Sequence, residues 1–216
     1  MRCVYAWGLG AKLSDEKDIA MTDYIEINVS ECILTLKINR PEKKNALTVA
    51  MYATLADNII AANNDKNVRA ILITGSEDSF TAGNDLKDFL ENPPLDPSSP
   101  VFRFMYAISG ARKPVVAAIN GLAIGIGTTI LLHCDLVYVV ESARFQMPFV
   151  NLGLVPELGS SLLLPALAGH ARAAELLMLG DMFDAETARS IGLINAICSK
   201  EELLPTAQKA AAKLAA

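Results

Sequence analysis

Three short runs in this chain are apolar with almost no alternation: residues 69–74 (RAILIT), 114–119 (PVVAAI) and 136–140 (LVYVV). A strand with one wet face alternates apolar and polar residues. A run rich in Val, Ile and Ala that does not alternate is covered on both faces. Parallel sheets with helical crossovers provide that cover, so these runs limit the fold more than any other feature. Residues 24–30 and 32–38 do alternate, and they predict two strands joined by a tight turn at Ser30 and Glu31. Thr48 is placed to cap a helix running to about residue 62. Its apolar positions Tyr52, Leu55, Ala56, Ile59 and Ile60 fall on one helix face. Further helices are expected over 101–111, 126–133, 158–168, 171–179, 185–191 and 200–215, and a strand over 193–197. Residues 75–80 and the proline-rich 92–100 are expected as loops. Strands interleaved with helices define an α/β fold with parallel pairing.

At 216 residues, 52% of them hydrophobic and 20% charged, the chain is long enough for one well-buried domain, expected over 21–216. The formal charge of −5 argues against nucleic acid as a partner, since phosphate neutralisation needs a basic field. A phosphorylated small molecule could still meet a local cluster, either Arg40, Lys43 and Lys44 or Arg112 and Lys113. The bland reading of both is a solvated turn. Cys3, Cys32, Cys134 and Cys198 form no CxxC, which suggests neither zinc nor a disulfide framework and fits a reducing compartment. His133 and His170 have no metal-ligand spacing, and Ser160 and Ser161 lack a GxSxG elbow. Residues 1–20 are expected as an extension outside the fold. Their apolar run is too short and too soon followed by Lys12, Asp15 and Glu16 for a signal peptide. The most apolar stretch, 114–132, is broken by Asn120, glycines and threonines, so it is not expected to span a membrane, which takes ~20 continuous apolar residues.

Three segments carry candidate chemistry: FTAGNDL at 80–86, NGLAIGIG at 120–127 and NLGLVPELG at 151–159. In the first two, small residues after a buried strand let the backbone turn sharply and let a ligand approach. A helix opening after such a turn presents unpaired N–H groups and the positive end of its dipole. Two such loops converging could aim two N–H donors at one carbonyl oxygen, an arrangement in which a single donor is worth ~10²–10³ in rate. Singly, each is more often a plain turn. The second segment lacks the third glycine of a dinucleotide fingerprint. In the third segment Glu157 stands at an expected helix start in apolar surroundings. It either complements the helix dipole or serves as a general base raised by desolvation, and the residues alone leave both open.

Taken together, with RPEKKNAL at 40–47 ahead of them, these segments resemble the crotonase (enoyl-CoA hydratase/isomerase) superfamily from about Asp23 to Leu204. The resemblance implies a spiral of ββα units with a helical C-terminal region, a coenzyme A thioester as ligand with no further cofactor or metal, and a homotrimer or dimer of trimers. It places the oxyanion-hole N–H groups at Asn84 and Ile126. It gives Lys44, Asn45, Ala46, Leu47, Ala82, Gly83, Asn84, Asp85, Leu86, Gly125 and Ile126 as coenzyme A or substrate contacts. Lys43, Lys44 or Lys87 are its candidates for the phosphates. The two glutamates that handle water in the family's hydratases correspond to Thr129 and Phe149 here. Glu157, after Pro156, together with AGNDL, looks like the 3,2-trans-enoyl-CoA isomerases of fatty-acid β-oxidation. That makes Glu157 the expected catalytic base, with a hydratase-like enzyme or a non-catalytic acyl-CoA-binding homologue as alternatives. The resemblance also implies a cytoplasmic enzyme in a bacterium, or a mitochondrial or peroxisomal one in a eukaryote. It further implies family helices beyond Ala216, so the helical region is expected to be truncated.

Overall fold

The computed structural model describes residues 20–22 and 24–216. Residues 1–19 of the expected extension lie outside the described residues. In chain order the elements are β1 (Ala20–Thr22), β2 (Ile25–Ser30), β3 (Ile33–Ile38), α1 (Val49–Asn64), β4 (Ala70–Thr74), β5 (Ser79–Thr81), α2 (Leu86–Glu91) and α3 (Pro100–Ser109). They continue with β6 (Val115–Ile119), β7 (Leu122–Ile124), α4 (Ile126–Thr129), β8 (Leu136–Val140), β9 (Arg144–Gln146), α5 (Ser160–Ala168) and α6 (His170–Leu179). The last are β10 (Phe183–Asp184), α7 (Ala185–Ser190), β11 (Ala196–Cys198) and α8 (Lys200–Ala215).

The apolar runs form the middle of a 7-stranded sheet ordered β1-β2-β3-β4-β6-β8-β11. From β3 onward all its pairings are parallel. Every residue of β4 and of β6 is buried, as runs without alternation require. β2 and β3 pair antiparallel with Ser30 opposite Ile33. Their turn lies one residue later than expected, because Glu31 and Cys32 both take the left-handed conformation that closes a two-residue hairpin. Thr48 caps α1, its side chain accepting from Met51 N–H. α8 lies across β4, β6 and β8. It buries Leu203, Ala207, Ala211 and Ala215, one residue per turn, and the alanines let helix and sheet approach closely.

A second sheet, β10-β9-β7-β5, has 4 strands, with β5, β7 and β9 parallel to one another. Three times in succession a strand of the large sheet is followed by one of the small sheet: β4 to β5, β6 to β7, β8 to β9. Helices follow each pair, which makes the spiral of ββα units. The expected loop over 75–80 and turn over 120–125 are corrected here, since each contains part or all of a small-sheet strand. Three-residue strands are too short to show a period. The helix expected over 126–133 is one α-turn followed by a 3-10 turn at Ile130–His133. The strand expected over 193–197 is displaced to β11, and α2 was not expected. No helix of the described residues is long and apolar enough to cross a membrane.

Candidate functional site

A cavity of about 850 Å³ opens where the three motif segments meet. Its walls are Ala82 to Lys87 from the first, Ile124, Gly125 and Ile126 from the second, and Leu154, Val155, Glu157 and Leu158 from the third. Phe89, Val101, Phe102, Met105, Phe149 and Leu152 make most of the remainder apolar.

The first wall is held from behind by the RPEKKNAL segment. Leu47 N–H donates to Gly83 O at 2.8 Å, and Asp85 N–H donates back to Leu47 O at 2.8 Å. Asn45, fully buried, donates from Nδ2 to Ser79 O at 2.6 Å and accepts at Oδ1 from Arg40 N–H and Ser76 Oγ–H. Thr81 Oγ1 donates to Asn45 O at 2.7 Å and accepts from Gly83 N–H at 3.1 Å. Gly83, with φ +88°, makes the turn that a side chain would oppose. In the second wall Gly125 takes φ +57° and ψ −116°, a conformation open in practice to glycine alone, and α4 starts at the next residue. A Cβ on Gly127 would lie 2.6 Å from Thr81 Cγ2, so glycine there lets α4 rest on β5.

Asn84 and Ile126 both line the cavity. Leu47 bonds on either side of Asn84, through Gly83 and Asp85, and passes over the Asn84 N–H. Ile126 is the first residue of α4, where an amide has no acceptor within the helix. Among the described residues neither N–H donates to another group. Two orphan donors therefore stand on the two glycine-turned walls.

Glu157 does not lie in a helix. α5 begins at Ser160, later than the expected residue 158, because Leu158 and Gly159 are both left-handed. The Glu157 carbonyl accepts from Ser160 N–H at 3.0 Å and from Ser160 Oγ at 2.7 Å. His133 Nε2 bonds Leu158 O at 2.8 Å, as a donor in the matching tautomer. The backbone is thus pinned just after Glu157, at two successive carbonyls, and Glu157 lines the cavity. Burial among apolar walls raises its pKa to about 7. The other lining carboxylate, Asp85, is committed. It accepts from Arg40 Nη1 at 2.7 Å and caps α2, and Arg40, followed by the capping N–H of Asp88, holds its pKa below the usual range.

Of the residues expected to touch coenzyme A or substrate, Ala46, Ala82, Gly83, Asn84, Asp85, Leu86, Gly125 and Ile126 line the cavity, and Lys44, Asn45 and Leu47 do not. Asn45 and Leu47 are buried behind the first wall as its fasteners, and Lys44 is exposed outside it. Among the candidate cations, Lys43 and Lys87 border the cavity. Arg40 is spent on Asp85, and Arg112 and Lys113 lie elsewhere. Phe149 lines the cavity, whereas Thr129, the last residue of α4, is fully buried and does not line it. Phe102 and Met105 were missed, since an apolar residue on a helix reads equally well as core. So was Tyr52, on the buried face of α1, whose hydroxyl donates to Asn84 Oδ1.

A ββα spiral with two unpaired amides and one unpaired glutamate at the meeting of its loops defines a class, and the comparisons agree. The sequence profile of the enoyl-CoA hydratase/isomerase family matches residues 28–216, and the chain belongs to that family, the crotonase superfamily. It is 38% identical over 206 residues to the 1,2-epoxyphenylacetyl-CoA isomerase of Escherichia coli, covering 90% of this chain and 77% of that one. It is 36% identical to the crotonyl-CoA hydratase of Syntrophomonas wolfei, covering 88% of this chain and 75% of that protein. Among solved structures it superposes on Pseudomonas aeruginosa OdaA with TM-score 0.86 at 52% identity, covering 89% of this chain and 78% of that one. An enoyl-CoA hydratase/isomerase from Pseudoalteromonas atlantica gives TM-score 0.86 at 45% identity, covering 90% and 77%.

Proposed function

We propose that this member of the family is an enoyl-CoA isomerase that converts 3-enoyl-CoA to 2-trans-enoyl-CoA, with Glu157 as its single base. The observation that carries this reading is Glu157 itself: a carboxylate without a partner among the described residues, in an apolar wall of the cavity that Asn84 and Ile126 also line. In this reading the thioester oxygen accepts from the Asn84 and Ile126 N–H groups. Glu157 removes a proton from C2, whose C–H electrons form the C1–C2 double bond of a dienolate as the C1–O π electrons move onto oxygen. Collapse of the dienolate re-forms the C1–O double bond and makes the C2–C3 double bond, and the π electrons of the former C3–C4 double bond take the same proton back from Glu157 at C4. Fixed N–H dipoles serve the developing charge without reorganising. A carboxyl with pKa near neutrality can both take and return the proton. The chemistry needs no group beyond these residues and the thioester.

Hydration is the competing reaction, and the relative from Syntrophomonas wolfei bears a hydratase name. Against it stand Thr129, which is buried away from the cavity, and Phe149, which offers no proton acceptor. The test is to assay 3-enoyl-CoA isomerisation and 2-enoyl-CoA hydration on wild type and Glu157→Gln. Isomerisation is expected to predominate, and the substitution to lower its kcat by ~10³-fold or more with acyl-CoA affinity nearly unchanged. Near-wild-type isomerisation by Glu157→Gln, or hydration as the faster reaction, overturns the assignment.

A further inference from the structure

Tyr52 belongs to none of the three cavity segments, yet it reaches one of them. It is 1% exposed on α1, its ring tilted against Phe104 with centroids 5.4 Å apart. A phenol buried this fully needs a partner for its O–H, and the partner is Asn84 Oδ1. Leu47 fastens Gly83 and Asp85 but leaves the backbone N–H of Asn84 free. Among the described residues, the side-chain bond to Tyr52 is therefore the hydrogen bond that acts on Asn84's own groups.

Resting on the isomerase reading above, we propose that Tyr52 is a positioning residue for the oxyanion loop: its hydroxyl, by holding the Asn84 side chain, keeps the Asn84 N–H aimed at the thioester oxygen. The phenol suits this role. Burial, with the Glu157 carboxylate adding to it, pushes its pKa well above the ordinary range. It stays a neutral donor at every working pH and does not compete with Glu157 for the migrating proton. A small loss of orientation at a donor that acts on developing charge falls on the transition state more than on the bound substrate.

Tyr52→Phe keeps the ring packed on Phe104 and removes the donor alone. It is expected to lower kcat for 3-enoyl-CoA by about tenfold, the size of one lost hydrogen bond, with KM and the thermal midpoint little changed. Asn84→Ala keeps the backbone N–H but loses the anchor, so it should show a similar loss, and the double variant should be no slower than the slower single one. A readout independent of turnover is the affinity for acetoacetyl-CoA, whose enolate oxygen needs the same donors, against that for coenzyme A, which has no acyl carbonyl. Tyr52→Phe should weaken the first and spare the second. Wild-type kcat and acetoacetyl-CoA affinity in Tyr52→Phe, or losses that multiply in the double variant, overturn the inference and leave the isomerase reading standing. A wild-type protein that neither binds these ligands nor isomerises 3-enoyl-CoA overturns that reading, and this inference with it.

Discussion

The chemistry of Glu157 depends on what its carboxyl is denied. Among the described residues it has no cation beside it and no N–H on its oxygens, and burial raises its pKa to about 7. As a base it must be ionised, so kcat/KM for 3-enoyl-CoA is expected to rise with pH and level off above about 7. A profile flat across that point would exclude Glu157 as the base. Stability should move the other way. The folded pKa lies above the unfolded one, so the folded state holds the proton more tightly, and stability falls as pH rises through the interval between the two. Glu157→Gln should therefore raise the thermal midpoint at about pH 8 and much less at about pH 5. Lys43 and Lys87, the cations bordering the cavity, are the proposed phosphate contacts of coenzyme A. Titration with coenzyme A at rising salt should then show weakening affinity, because exposed ion pairs are screened over about 10 Å at 0.1 M. An affinity indifferent to salt would remove them from the site.

Between residue and molecule, the elements that build the site differ in how plainly they could be read. β4, β6 and β8 were legible because runs such as VVAAI have no wet face to alternate with. The small-sheet strands were not, since Ser79–Thr81 or Arg144–Gln146 offers three residues and no period. The motif loops were legible as glycine-rich turns, but the inward role of Asn45 was hidden, because a polar residue in a loop looks solvated until its partners are known. α2 was hidden for a related reason: its start is capped by one oxygen of Asp85, whose other oxygen accepts from Arg40, 45 positions away. Asp85→Ala would remove the cap and leave a largely buried guanidinium with Ala46 O and, at 3.8 Å, Glu42 in place of its close carboxylate. It should cost about 2–4 kcal/mol in denaturant unfolding. The depressed pKa of Asp85 gives the sign with pH: the contribution is present above the ordinary carboxylate range and is lost as pH falls through the lowered folded value. A variant as stable as wild type would show that the loop holds α2 without this pair.

At the scale of the whole molecule, the outer side of α5 and α6 is an exposed apolar surface of the described residues. Leu164 and Leu176 point inward, but Leu162 is 73% exposed, Met178 70% and Leu179 59%. Val155, beside Glu157 in the cavity wall, is 82% exposed. Apolar patches beyond about 300–600 Å² are uncommon on soluble monomers, and larger ones mark interaction surfaces. We propose that copies of this chain cover this side for one another, as a trimer or a dimer of trimers, and so close the cavity rim at Val155. Static light scattering on dilute wild-type protein should return a multiple of the 23.1 kDa chain mass. Leu162→Glu with Met178→Glu places charges where a monomer would tolerate them, since surface substitutions are usually within about 0.5 kcal/mol. Those changes should lower the assembled mass and, with the rim at Val155 open, lower kcat as well. A wild-type protein that scatters as a monomer, or a double variant that assembles unchanged, would place the interface elsewhere.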